Sequence, residues 1–96
     1  MSVTLSTHVL DTDRGEPARG VRVELVRGAE RVAAGETDDD GRIPELARVD
    51  AGAYRLVFHP TSPFFRRVEL ELELADGHYH VPLLVSRFSC TTYRGS

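Results

Sequence analysis

The sequence predicts an all-β fold: an antiparallel sandwich of seven to eight short strands, in one domain over residues 1–96. Three observations predict it. Apolar residues recur with a period of two along most of the chain, glycine- and proline-bearing turns interrupt that alternation at short intervals, and no window of about ten residues reads as an amphipathic helix.

The strands follow in order. Val3, Leu5 and Val9 alternate with Thr4, Ser6 and His8, so a first strand puts His8 on the face opposite its apolar stripe. Val21, Val23 and Leu25 alternate with Arg22 and Glu24. Between Glu36 and Leu46 a turn at Asp40-Gly41 leads into a short strand. Tyr54, Leu56 and Phe58 form the next stripe, and Val68, Leu70, Leu72 and Leu74 alternate strictly with Arg67, Glu69, Glu71 and Glu73 as a half-exposed strand. The stretches RGEPARG, DDDGR, DAGA, HPTSP and ADGH supply the turns. In the last strand, His78 to Val85, one face carries Tyr79, Val81, Leu83 and Val85, and the other carries Leu84 with His78 and His80. A strand apolar on both faces marks a subunit interface, and Pro82, which cannot donate to a ladder, implies an edge or a bulge.

Composition excludes several classes of function. A net charge of −3 and a pI near 5.7, without a basic block, argue against nucleic acid and against an anionic membrane surface. No run of about 18 apolar residues occurs, and the first residues lack the charged and apolar regions of a leader, so a soluble, unexported protein is expected. A single cysteine, Cys90, can make no internal disulfide. All twelve basic residues are arginine, and Lys, Asn, Gln and Trp are absent. That composition removes Schiff-base chemistry and amide-lined oxyanion holes.

The polar residues leave alternatives open. His8, or the pair His78 and His80 that shares a strand face, reads equally well as solvated histidine. The three together could also hold zinc through three nitrogens with an open water position, although no carboxylate stands in an obvious place to orient them. Arg42 alone reads as a solvated strand end, and Cys90 as a small buried side chain rather than a nucleophile.

LSTHVLDTDRGEPARGVRVEL, TDDDGRIPEL and HYHVPLLVSRFSCTTYRGS together resemble the transthyretin-like (prealbumin-like) family over nearly the whole chain, and HYHVPLL with the terminal TYRGS resembles its 5-hydroxyisourate hydrolase branch. The resemblance implies a catalytic constellation of His8, Arg42 and His80. It implies that Tyr93, Arg94, Gly95 and Ser96 shape the substrate pocket, with His78 secondary. It further implies hydrolytic opening of a cyclic amide in urate degradation with no metal and no cofactor, 5-hydroxyisourate as the small-molecule partner, and a homotetramer, a dimer of dimers, whose pockets lie in the channel between dimers. The rival readings are a ligand-binding module that kept the fold without turnover and the zinc hydrolase above. Two departures stand out. HPTSP passes directly to Phe64-Phe65, so the short helix of the family is expected to be missing, and SRFSC brings Arg87, Ser89 and Cys90 to unusual positions. Without a Ser-Lys-Leu type ending, a cytoplasmic location is expected.

Overall fold

The computed structural model describes residues 2–95. Ten strand segments follow one another: β1 (Ser2–Asp11), β2 (Glu16–Pro17), β3 (Arg22–Arg27), β4 (Glu30–Glu36), β5 (Arg42–Asp50), β6 (Gly52–His59), β7 (Val68–Leu74), β8 (Gly77–His80), β9 (Leu83–Val85) and β10 (Cys90–Thr92). They form two sheets. In the four-stranded sheet the order is β4-β3-β6-β7, antiparallel throughout. The second sheet is built around β1, which pairs antiparallel with β5 and then β2 along one side and parallel with β8 and then β9 along the other, β10 closing the far edge against β9.

Strand direction is what a period of two leaves unspecified, and the parallel pairing of β1 with β8 and β9 makes this sheet mixed. Val3 pairs with Gly77 and Val9 with Leu83 at the same offset, so β8 and β9 are one strand interrupted at Val81-Pro82. The interruption has a local cause. Val81 N–H still donates to Ser6 O at 3.0 Å, but Pro82 has no N–H to give, and its carbonyl instead accepts from Thr92 Oγ1 at 2.9 Å. A second irregularity shifts the register of β5 between the partners of Leu5 and Thr7, where Pro44 falls.

The core lies between the sheets. Val3, Leu5 and Val9 of β1 meet Val23 and Leu25 of β3, Tyr54, Leu56 and Phe58 of β6, and Leu83 of β9 in one buried cluster. Each such aliphatic or aromatic side chain contributes about 1.5–3 kcal/mol when fully buried. The alternation that sends Leu5 inward sends Ser6 and His8 to the opposite face, so the strand that anchors the core also carries the site.

Of two surface features, the first follows the sequence reading and the second departs from it. No helix occurs between β6 and β7 among the described residues; Phe64 stands 59% exposed there, edge-on to Phe65 and to Phe88. Cys90, expected to be buried, is exposed: it opposes Val85 on β10, which pairs with β9 alone at the edge of the sheet. Among the described residues no helix is long and apolar enough to cross a membrane.

Candidate active site

Pairing across three strands assembles one polar row. On β1 the residues facing away from the core are Thr4, Ser6 and His8. The parallel register sets Thr4 beside His78 and Ser6 beside His80, and the antiparallel register on the other side sets His8 beside Arg42. His8, Arg42 and His80, far apart in sequence, therefore come together on one sheet face.

Arg42 is placed by the turn before it. Asp38 Oδ1 accepts from the backbone N–H groups of Asp40 and Arg42, both at 2.9 Å, and Gly41 N–H closes onto Asp38 O at 2.9 Å. Gly41 adopts φ +74°, and a Cβ there would stand 2.5 Å from Val9 O, so the turn demands glycine twice over. The same turn aims Asp40 O at His8. Because a carbonyl can only accept, His8 Nε2 must carry the proton in this 2.9 Å bond, and neutral His8 presents Nδ1 as its free lone pair. Among the described residues the Arg42 side chain makes no ion pair.

His80 is half-buried, and its Nδ1 lies 2.7 Å from Ser6 Oγ. Burial holds its pKa below the ordinary histidine value, and the electrostatic influence of His8, Arg42 and His78 pushes it further the same way. It is thus neutral at physiological pH. His78 has both ring nitrogens occupied, Nδ1 with Thr4 Oγ1 at 2.7 Å and Nε2 with Ser6 Oγ at 2.9 Å. A histidine bonded at both nitrogens offers no lone pair to zinc, and no group of three metal-ligating side chains gathers among the described residues. The three-histidine metal reading therefore lacks its geometry.

The tail divides. Gly95 pairs with His80, its N–H donating to His80 O at 2.6 Å, and a Cβ on Gly95 would come 2.8 Å from His80 Cδ2. Only glycine fits against that imidazole. Arg94 instead lays its guanidinium 4.0 Å from the centroid of the Tyr79 ring and donates to His78 O at 3.3 Å. With the half-exposed Tyr93 it lines a groove of about 300 Å³ beside Leu70, Leu72 and Val81. Since Tyr79 alternates with His78 and His80, Arg94 and Tyr93 lie off the histidine row. Ser96 lies outside the described residues.

Sequence reasoning did not single out Ser6, Thr4 or Asp40. The alternation along β1 put Ser6 and Thr4 on the face of His8, but which strand stands beside them is decided by a pairing some 70 residues away.

Comparison with known proteins identifies the family. The family model described as HIUase/Transthyretin family matches residues 5–95. The 5-hydroxyisourate hydrolase of Deinococcus radiodurans is 42% identical over 113 aligned residues, covering 96% of this chain and 95% of that protein, and its Pseudomonas aeruginosa counterpart is 40% identical over 114, covering 96% and 90%. Among solved structures, Klebsiella pneumoniae 5-hydroxyisourate hydrolase superposes with a TM-score of 0.89 at 36% identity, covering 98% of this chain and 99% of that one. Sea bream transthyretin in complex with thyroxine superposes with a TM-score of 0.86 at 30% identity, covering 95% and 93%. The chain belongs to the HIUase/transthyretin family.

Proposed function

We propose that this protein is a 5-hydroxyisourate hydrolase, opening the cyclic amide of its substrate by addition of water in urate degradation. The observation that carries the proposal is the row of His80, His8 and Arg42 on one sheet face, in a chain 42% identical to a protein of that activity. His80 is the general base. Its Nε2 is the ring nitrogen left free by the bond to Ser6, and its lowered pKa keeps it unprotonated at neutral pH. It takes a proton from water as the oxygen attacks the ring carbonyl. Arg42, whose guanidinium has no carboxylate partner among the described residues, balances the developing oxyanion and grips the planar ureide edge. As the carbon–nitrogen bond breaks, the imidazolium returns the proton to the departing ring nitrogen. His8, with Nδ1 open, accepts a hydrogen bond from water or substrate. A positioned base of this kind contributes roughly 10²–10⁴-fold in rate.

Within the tail, Gly95 walls the imidazole of His80 and Ser96 is assigned to polar contact with the substrate, while Tyr93 and Arg94, off the histidine row, order the tail; the clamp of Arg94 on Tyr79 supports that role. We further propose a homotetramer in the cytoplasm. The row lies on the outer face of the sheet with Leu84 beside it, and a second copy covering that face would enclose the substrate and exclude water.

The test is the ultraviolet decay of 5-hydroxyisourate, generated in the cuvette by urate oxidase, with and without the chelator-treated protein. Decay well above the spontaneous rate supports the metal-free hydrolase. Decay at the spontaneous rate from folded protein overturns it in favour of a ligand-binding module. Activity that returns only with zinc overturns the metal-free mechanism.

A further inference from the structure

The row of the active face continues past His80 into groups the proposed chemistry does not use. Ser6, only 6% exposed, bridges His78 Nε2 at 2.9 Å and His80 Nδ1 at 2.7 Å, and His78 Nδ1 reaches Thr4 Oγ1 at 2.7 Å. Three hydrogen bonds thus link four side chains in the order Thr4, His78, Ser6, His80. His78 is exposed, yet both of its ring nitrogens are engaged, and a buried hydroxyl placed between two imidazoles at these distances has both of its neighbours fixed.

Run head to tail, so that Ser6 donates one bond and accepts the other, the chain has two polarities. In one, Ser6 Oγ–H donates to His80 Nδ1, His78 Nε2–H donates to Ser6, and neutral His80 must carry its proton on Nε2, where it cannot act as a base. In the other, His80 Nδ1–H donates to Ser6, Ser6 Oγ–H donates to His78 Nε2, and His78 Nδ1–H donates to Thr4, so His80 Nε2 is an open lone pair. Only the second polarity survives the reaction. When Nε2 takes a proton the ring has N–H groups at both nitrogens, and Nδ1 must then be a donor; the outward polarity already satisfies this, and no hydroxyl has to turn over during the step.

We propose that Ser6 and His78 are positioning residues: the chain from Thr4 through His78 and Ser6 to His80 fixes the His80 tautomer with its proton on Nδ1 and holds Nε2 as the reactive nitrogen. The proposal deepens the hydrolase reading and rests on it for its kinetic consequence. The groups that face His80 fit the same picture. Burial, followed by His8 on β1, Arg42 on β5 and His78 on β8, disfavours its protonated form, while its orientation is set by Ser6. The backbone of Gly95 closes the remaining edge of the ring at Cδ2.

The experiment combines nitrogen-15 NMR of the imidazole rings with kinetics. In the wild-type protein at neutral pH, His80 is expected as the neutral Nδ1–H tautomer; a neutral ring with its proton on Nε2 overturns the proposal, whatever the activity. Ser6→Ala is expected to turn His80 into a mixture of tautomers and to lower kcat by about 10- to 100-fold with KM hardly moved. His78→Ala should lower kcat in the same sense, and His78→Gln, which keeps an acceptor for the Ser6 hydroxyl, should recover most of that loss. A folded Ser6→Ala protein with wild-type kcat, or His78→Gln no better than His78→Ala, overturns the proposal. If the wild-type protein leaves 5-hydroxyisourate untouched, the hydrolase reading fails by itself, and the tautomer measurement alone decides the role of Ser6.

Discussion

At the scale of single residues, His80 and Glu24 are displaced from their ordinary behaviour for different reasons. His80 is shifted by burial first and by the electrostatic influence of the groups around it second, both lowering its pKa. The base is therefore lost only as pH falls below the ordinary histidine value of about 6.5, and the acidic limb of kcat/KM against pH is expected with its midpoint under that value. A limb at or above it would remove His80 as the base. The same shift makes the unfolded chain bind more protons than the folded one between the two pKa values, so this residue's contribution to stability rises with pH through that window. Glu24 is the opposite case. His59 Nε2 at 2.7 Å donates to its carboxylate, Arg31 adds a bond at 3.2 Å, and its pKa falls to about 2. A depressed carboxylate contributes stability above its unfolded pKa and loses it as pH falls toward the folded value. Urea unfolding at pH values between about 4.5 and 2 should therefore show the wild type weakening more steeply than Glu24→Gln.

At the scale of elements, the turn from Asp38 to Gly41 links three parts of the site: it starts β5 at Arg42, presents Asp40 O to His8, and ties back to Val9 N through Gly41 O at 2.7 Å. Gly41→Ala forces a side chain into a left-handed conformation and against Val9 O, so a loss of about 1–3 kcal/mol is expected by chemical unfolding. Activity should drop along with it, since both Arg42 and His8 are displaced; undiminished kcat in this variant would show that the turn does not position them. The tail is a second such element. Arg94→Ala removes a cation–π contact worth about 0.5–1 kcal/mol. The tail then loosens, and the expected result is a raised KM with little change in the thermal midpoint.

At the scale of the whole molecule, the two faces of β1 do different work. Leu5 is fully buried, and Leu5→Ala should cost about 2–5 kcal/mol as a cavity opens between the sheets, lowering stability far more than the site-face change Ser6→Ala does. Across the sheet, the histidine row and Leu84 lie on its outer side, where a second copy would turn an open row into a lined channel. Sedimentation equilibrium is expected to give the mass of four chains; a monomer with full activity would contradict the proposed assembly.

The strict alternation of Val3, Leu5, Tyr54, Leu56 and Phe58 was enough to place the strands and the core, because the direction of a side chain from a strand follows from its position alone. It also placed His8 on a polar face, and His78 with His80 together on the face they share with Leu84. Turn chemistry located Gly41 and hence the start of the strand at Arg42. Resemblance to a known family, rather than periodicity, joined His8, Arg42 and His80 into one constellation. What only the tertiary structure decided was which strands lie side by side and in which direction. The parallel pairing of β1 with β8 is a contact between distant parts of the chain, and it alone brings Ser6 between His78 and His80. The exposure of Cys90 was undecided for the same reason, since burial depends on whether the strand has a neighbour on both sides. The split of the tail, Gly95 against His80 and Arg94 against Tyr79, depends on where the last residues cross the sheet edge, and no local pattern encodes that crossing.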